Sequence, residues 1–275
     1  MVESLPIKSN AVQRAFSKQA EHYDEDDISN QILIDWRKQV YENVNRYIKP
    51  GSYILELNAG TGIDALHFVQ SGHSVHATDC AQGMIAKINQ KIFQFDLLGR
   101  FTSQQCSFET LDQVKERKFE YVFSNFGGLN CCSDLTKVAR HLPALLNKGA
   151  YVTLVIMPTV SFWELARVFR AGGDAFRRLK KNGTLAHLEG EYFKTYYHSL
   201  SSIKKSFGEN FTLIRSEGLG NISPPPASAN FFMRYPKTAS FLKKIDHVVK
   251  NIFPFNRWGD HIIVTFQFTG NEDHG

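Results

Sequence analysis

Long hydrophobic runs are missing from this chain. No stretch reaches the roughly 18 uninterrupted apolar residues of a membrane span, and the opening MVESLPIKSN has neither the basic end nor the apolar run of a signal peptide. Secretion and membrane insertion are therefore not expected. Cysteine is scarce as well. Cys80, Cys106, Cys131 and Cys132 form no CxxC pair and no spaced Cys/His cluster, which argues against structural zinc, any other metal site and a disulfide framework. A reducing cytoplasm is the expected setting. A large charge of one sign is also lacking: 32 Lys and Arg against 27 Asp and Glu leave a net charge of +5. That excess suits an acidic partner without requiring one, and charge alone does not favour nucleic acid. Internal repeats and low-complexity segments are absent. What is present is 275 residues, 43% of them hydrophobic and 13% aromatic, enough for one sizeable globular core.

The patterning alternates strands and helices. Apolar residues recur at helical spacing from Val12 to Ile48, through Ile28, Ile32, Trp36, Val40 and Val44, until Pro50-Gly51 stops the run. This predicts a helical N-terminal arm, residues 1–50. Strands are predicted at Tyr53 to Leu57, His73 to Thr78, Arg100 to Cys106, Phe119 to Ser124 and Tyr151 to Met157. The helices between them are Ile63 to Gln70, Ala81 to Lys91 and Leu135 to Leu146. Such alternation implies a parallel sheet covered on both faces, with residues 51–158 as the core. An aromatic and basic helical stretch, Val160 to Leu185, reads as a cap insertion spanning 159–199. A helix near Leu200 to Phe207, a strand at Phe211 to Glu217, Pro224-Pro225-Pro226, a helix near Thr238 to Ile252 and a strand at His261 to Phe268 complete the sheet over 200–275, with an inserted helical piece at about 224–256.

The chemistry starts at ILELNAGTGIDALHF, Ile54 to Phe68. A strand carrying Glu56 runs into a turn of Asn58, Ala59, Gly60, Thr61 and Gly62, and then into a helix whose first amides face the turn. A dinucleotide-binding turn carries three glycines for the pyrophosphate, whereas Asn58 stands at the first position here. Glu56 would repel a pyrophosphate and attract a cation. Asp79, 23 positions on at the end of the second strand, is placed to accept both hydroxyls of a ribose. A nucleoside with a positive centre fits both carboxylates.

These residues resemble the class I S-adenosylmethionine-dependent methyltransferases, from the arm to at least the fifth strand. The resemblance implies a doubly wound, mainly parallel seven-stranded α/β sheet (a Rossmann-like fold) with S-adenosyl-L-methionine as cofactor and S-adenosyl-L-homocysteine as product. It further implies that Ala59, Gly60 and Gly62 line the methionine part and that Asp79 holds the ribose. Cys80 and Met84 would flank the adenine, with Ser107 and Phe108 reading it. Asn125, Phe126 and Gly127 would face the methyl group. The arm segment AFSKQAEHYD, with Phe16, Ala20, Tyr23 and Asp24, is similar to a Phe-Ala-Tyr-Asp pattern of small-molecule methyltransferases, ubiquinone and menaquinone C-methyltransferases among them, which would place Tyr23 over the cofactor.

Methyl transfer from a sulfonium asks mainly for alignment and exclusion of water, and for a base only where the acceptor must lose a proton. His198 is the candidate base. Trp163 and Tyr197 are candidate substrate contacts, and the cap favours a small aromatic or hydrophobic acceptor. The alternatives are a nucleic-acid methyltransferase and a binder of S-adenosylmethionine without activity. Gly127-Gly128 after Asn125-Phe126, in place of the Pro-Pro-aromatic run that grips a flipped base, speaks against the amino-methylating branch of the first. Plain structural roles compete at several places. Asp64 reads as a first-turn helix acid, and Cys131 and Cys132 as small packing residues. Phe162, Trp163, Leu165, Val168 and Phe169 read as a buried helix face. Arg177, Arg178, Lys180 and Lys181 read as a solvated one.

Overall fold

The computed structural model describes residues 11–165 and 173–270. Three helices open it: α1 (Ala11–Gln19), α2 (Tyr23–Ser29) and α3 (Gln31–Val44). The continuous arm helix expected from the periodicity is therefore broken twice. At the second break Asn30 adopts extended backbone and accepts the Ile32 amide on its side chain, an N-cap that starts a new helix. In α3, Ile32, Trp36, Val40 and Val44 fall on one buried stripe, each contributing about 1.5–3 kcal/mol of burial.

The core follows as β1 (Tyr53–Leu57), α4 (Ile63–Gln70), β2 (Ser74–Asp79), α5 (Gln82–Gln94), β3 (Phe101–Gln105), β4 (Phe119–Ser124), α6 (Thr136–Ala139), α7 (Leu142–Leu145) and β5 (Leu146–Ile156). The single helix expected over 135–146 is two short ones. Pro143 lacks an amide and its ring clashes with the carbonyl four residues back, at Ala139, where α6 ends. The remaining elements are a hairpin of β6 (Thr184–Leu188) and β7 (Glu191–Thr195), then α8 (Leu200–Phe207), β8 (Phe211–Leu219), α9 (Ala229–Arg234), α10 (Pro236–Val249) and β9 (His261–Phe268). The cap is thus not wholly helical. Leu185, placed in its helix by the sequence reading, sits in β6, and Val168 and Phe169 lie outside the described residues.

Seven strands form one sheet in the order β3-β2-β1-β4-β5-β9-β8. The first five are mutually parallel, and β9 runs antiparallel to β5 and β8. Alternation sorts the central strands onto two apolar layers. Leu55, Leu57, Val122 and Leu154 pack on one face, while Ile54, Tyr121, Phe123 and Val155 pack with Trp36 and Val40 on the other. The carboxyl ends of β1, β2, β4 and β5 converge on one rim, where a doubly wound sheet opens its crevice.

Candidate active site

At that rim lies a cleft of about 860 Å³. The end of β1 forms its floor through Asn58, whose φ of 46° is left-handed, a conformation asparagine tolerates better than most residues. Its side chain accepts the Ser124 hydroxyl at 2.7 Å and donates to the Asn125 carbonyl at 3.2 Å, tying the first turn to the end of β4. Gly60, also left-handed, presents open space: a methyl group there would meet nothing nearer than the Tyr23 ring at 3.9 Å. Its amide donates to Asp79 Oδ2 at 2.9 Å, and the Ala81 amide donates to Oδ1 at 2.9 Å. Burial pushes the Asp79 carboxyl up to about 6, with those amides pulling the other way. It is still an anion at neutral pH, with lone pairs to spare for hydroxyl donors.

A smaller recess of about 270 Å³ adjoins the turn, lined in part by Ala59, Asp64 and Arg37. Asp64 is not a solvated first-turn acid. Its Oδ1 accepts from Arg37 Nη1 and from the Tyr41 hydroxyl, and Oδ2 accepts from Asn125 Nδ2 at 3.0 Å. Arg37 also donates to Asp27 Oδ1 at 2.7 Å and lies 4.8 Å from the Phe126 ring centre, while its buried Nε has no protein partner. The recess therefore offers a fixed cation and a fixed anion side by side, a setting suited to the zwitterionic end of an amino acid.

The structure brings ten of the expected residues to the cleft wall: Tyr23, Asn58, Gly60, Asp79, Cys80, Met84, Phe108, Asn125, Phe126 and Gly127. Others stand elsewhere. Glu56 is buried beneath the turn with Oε2 unpaired, burial together with the nearby Asp64 raises its pKa well above the usual carboxylate range, and it does not line the cleft. Gly62 serves packing, since a methyl group there would come within 3.0 Å of Ile88. Thr61 donates its hydroxyl to Asp24, and Ser107 accepts the Glu109 amide.

The candidate base and substrate contacts stand away from the cleft wall. His198 is buried with Nε2 3.0 Å from the Cys132 carbonyl, and desolvation lowers its pKa. Trp163 donates its indole N–H to the Ser223 carbonyl at 2.7 Å. Tyr197 packs under Arg178, 5.1 Å from guanidinium to ring centre. None of the three lines the cleft. Arg178 itself is buried and bound to Asp260, so it does not belong to a solvated face.

The sequence reading missed the roof. α1 supplies Val12 and Phe16, and the hairpin supplies Ala186, Phe193 and Thr195. Arg14 and Lys18 hold Glu191 at 2.8 and 3.0 Å, and His22 lies 3.2 Å from Glu189, clasping the two segments together. A signal was available: residues 184–195 alternate about Glu189-Gly190, which take φ of 50° and 76° as a two-residue hairpin turn requires. His261 was missed too. At the start of β9 its Nδ1 lies 3.0 Å from Asp260 Oδ2. A methyl group on the wall residue Gly127 would come within 3.3 Å of its Nε2. Against the upward pull of burial, His261 and Arg178 hold the Asp260 carboxyl down at about 2.

Residues 54–149 match the family model of a methyltransferase domain. This stretch of the chain is similar to methyltransferase domains. The seven-stranded, mainly parallel α/β sheet is the fold expected from the sequence. A 1,6-didemethyltoxoflavin-N1-methyltransferase from Burkholderia thailandensis, solved with S-adenosylhomocysteine bound, is 13% identical with a TM-score of 0.56 over 94% of this chain and 88% of that one. Magnesium protoporphyrin IX methyltransferase from Synechocystis, also solved with S-adenosylhomocysteine, is 14% identical with a TM-score of 0.57 over 94% and 97%. The [4+2]-cyclase SpnF is 13% identical with a TM-score of 0.56 over 85% and 81%. No curated protein matches the chain. Among the described residues no helix is long and apolar enough to cross a membrane, and no cluster of His, Cys, Asp and Glu could hold a metal ion.

Proposed function

We propose that the chain is an S-adenosylmethionine-dependent methyltransferase acting on a small acceptor with an apolar or aromatic body. The composition of the cleft carries the reading: among the described residues its wall holds no lysine, arginine or histidine. A nucleic acid needs cations along the path of its phosphates, whereas Phe16, Met157, Ala186 and Phe193 offer an apolar surface. The structures solved for a toxoflavin precursor methyltransferase and a porphyrin methyltransferase are in keeping with this substrate class.

In this reading Asp79 accepts the ribose hydroxyls. Gly60 gives the ligand close approach to the backbone, and Cys80, Met84 and Phe108 enclose the adenine. Arg37 and Asp64 hold the carboxylate and ammonium of the methionine end. The open space at Gly60 and the unpaired Arg37 Nε fit that ligand. The cofactor supplies a methyl group already activated on a sulfonium. The chain's task is to align the acceptor beside Asn125, Phe126 and Gly127 and to keep water out. Where the acceptor must lose a proton, His261, oriented by Asp260, replaces His198 as the candidate base.

The test is transfer of a tritiated methyl group from S-adenosylmethionine to a panel of small aromatic acceptors and, separately, to total RNA, after titration with S-adenosylhomocysteine beside NADH. Incorporation into small acceptors alone supports the proposal. Incorporation into RNA alone overturns it. Tight binding of S-adenosylhomocysteine with no transfer to any acceptor moves the chain to a role without methylation, in keeping with its likeness to a [4+2]-cyclase.

A further inference from the structure

We infer that α10 and the turn after it form a docking face for an anionic lipid surface. Lys237, Phe241, Lys244 and Val248 are spaced four, three and four residues apart on α10, which places them on one stripe. All four are exposed, Phe241 at 62% and Val248 at 69%, and the stripe runs on into Ile252 at 53% and Phe253 at 66%. Exposed apolar side chains clustered this way mark an interaction surface more often than a bare one.

The helix cannot rotate to bury them, because its other face is pinned. Asp246 accepts the Ile222 and Ser223 amides at 2.6 and 3.1 Å. Lys243 pairs with Asp35, and Ala239 is buried. The apolar stripe is therefore a fixed property of the outer surface.

Charge selects the occupant. Between Gly218 and Gly259 the only acidic residue is Asp246, which is buried, while Arg234, Lys237, Lys244 and Arg257 are exposed. A second copy docking by the same face would bring lysines against lysines, since a two-fold contact pairs a patch with itself. An anionic bilayer satisfies both halves of the pattern: lysines meet headgroups, while Phe241, Val248, Ile252 and Phe253 enter the headgroup boundary. This association is peripheral and independent of which acceptor the cleft takes.

The experiment is co-sedimentation of the full chain with vesicles of phosphatidylcholine alone and of phosphatidylcholine mixed with phosphatidylglycerol, at low and high salt. Selective, salt-sensitive binding to the mixed vesicles is expected. Replacing one lysine, Lys237→Ala or Lys244→Ala, lowers partitioning about fivefold, and Phe241→Ser lowers it roughly tenfold. Circular dichroism and binding of S-adenosylhomocysteine stay unchanged in each, so a folding defect is recognised as such. Absence of vesicle binding, equal binding to both vesicle types, or binding indifferent to Lys237→Glu combined with Lys244→Glu overturns the proposal. So does a concentration-dependent dimer in sedimentation velocity that Phe241→Ser dissolves.

Discussion

Asn58 occupies the space that a side chain at Gly128 would need: a methyl group built on Gly128 would lie 2.3 Å from Asn58 Nδ2 and 2.4 Å from its Cγ. The two positions belong to different turns, after β1 and after β4, yet they are fitted to one another. Asparagine in place of the first motif glycine is tolerated because glycine stands at 128, and the side chain gains hydrogen bonds to Ser124 and Asn125 in return.

Gly128→Ala is accordingly expected to destabilise the fold by about 1–3 kcal/mol through overpacking. Asn58→Gly removes the obstructing side chain, so the double variant recovers much of that cost. Urea unfolding of the two single variants and the double one measures the coupling. Strict additivity would mean that the two turns are independent.

Asp79→Ala should weaken S-adenosylhomocysteine by about 1–3 kcal/mol, the cost of leaving hydroxyl donors unpaired in a buried site. Affinity should also depend on acidity. Burial holds this carboxyl at about 6, so in the folded apo chain it takes up a proton as pH falls through that value and loses acceptor capacity. The same raised pKa means that the folded state binds more protons than the unfolded chain in the window between the ordinary carboxylate value and 6, so this group favours folding more at the acid end of that window. Calorimetric titration above and below pH 6 should show affinity falling on the acid side, with the dependence removed in Asp79→Ala.

Arg37→Met leaves Asp27 and Asp64 buried without their shared cation. Loss of one partner from such a buried set costs about 3–5 kcal/mol. Mild acid should restore part of the loss, because the stranded carboxyls can then take up protons. Thermal unfolding of the variant at neutral and at mildly acidic pH checks both parts, and a melting temperature equal to that of the unchanged chain would show the network to be dispensable.

The clasp of Arg14 and Lys18 on Glu191 is solvent-exposed and should respond to salt. Its two cations depress the Glu191 carboxyl to about 2, so its attraction is present above the ordinary carboxylate range and is lost only as pH falls towards 2. Glu191→Gln is expected to speed hydrogen exchange in α1 and to raise KM for the acceptor while leaving the core amides protected. Unaltered exchange in α1 would mean that packing of Phe16 against Phe193, with ring centres 5.9 Å apart, holds the roof without help from charge.

Most of the sheet was legible because its strands are short, apolar and separated by unambiguous turns. β1, β4 and β9 begin and end where the patterning put them, and the glycine turn and Asp79 fell at the rim for the same local reason. The failures were long-range. Periodicity in the arm continued across Asn30, where only a cap distinguishes one helix from two. Arg37 and Asp64 each look like surface residues of their own helices, and nothing in either helix announces that they meet. His198 lies beside Tyr196 and Tyr197 in sequence, but its ring turns to the Cys132 carbonyl, while His261, far along the chain, comes up behind the wall residue Gly127 because β9 runs antiparallel beside β5.

The roof joins residues 14 and 191 across 177 positions of chain, so α1 is as much a part of the reaction chamber as the glycine turn is. A fusion partner joined directly to α1 is therefore expected to disturb the chamber ceiling, and comparing acceptor preference with the partner at either end checks it. Tagging after β9 avoids the problem, because that strand ends on the sheet beside Phe211, and Phe211 does not contribute to the cleft wall.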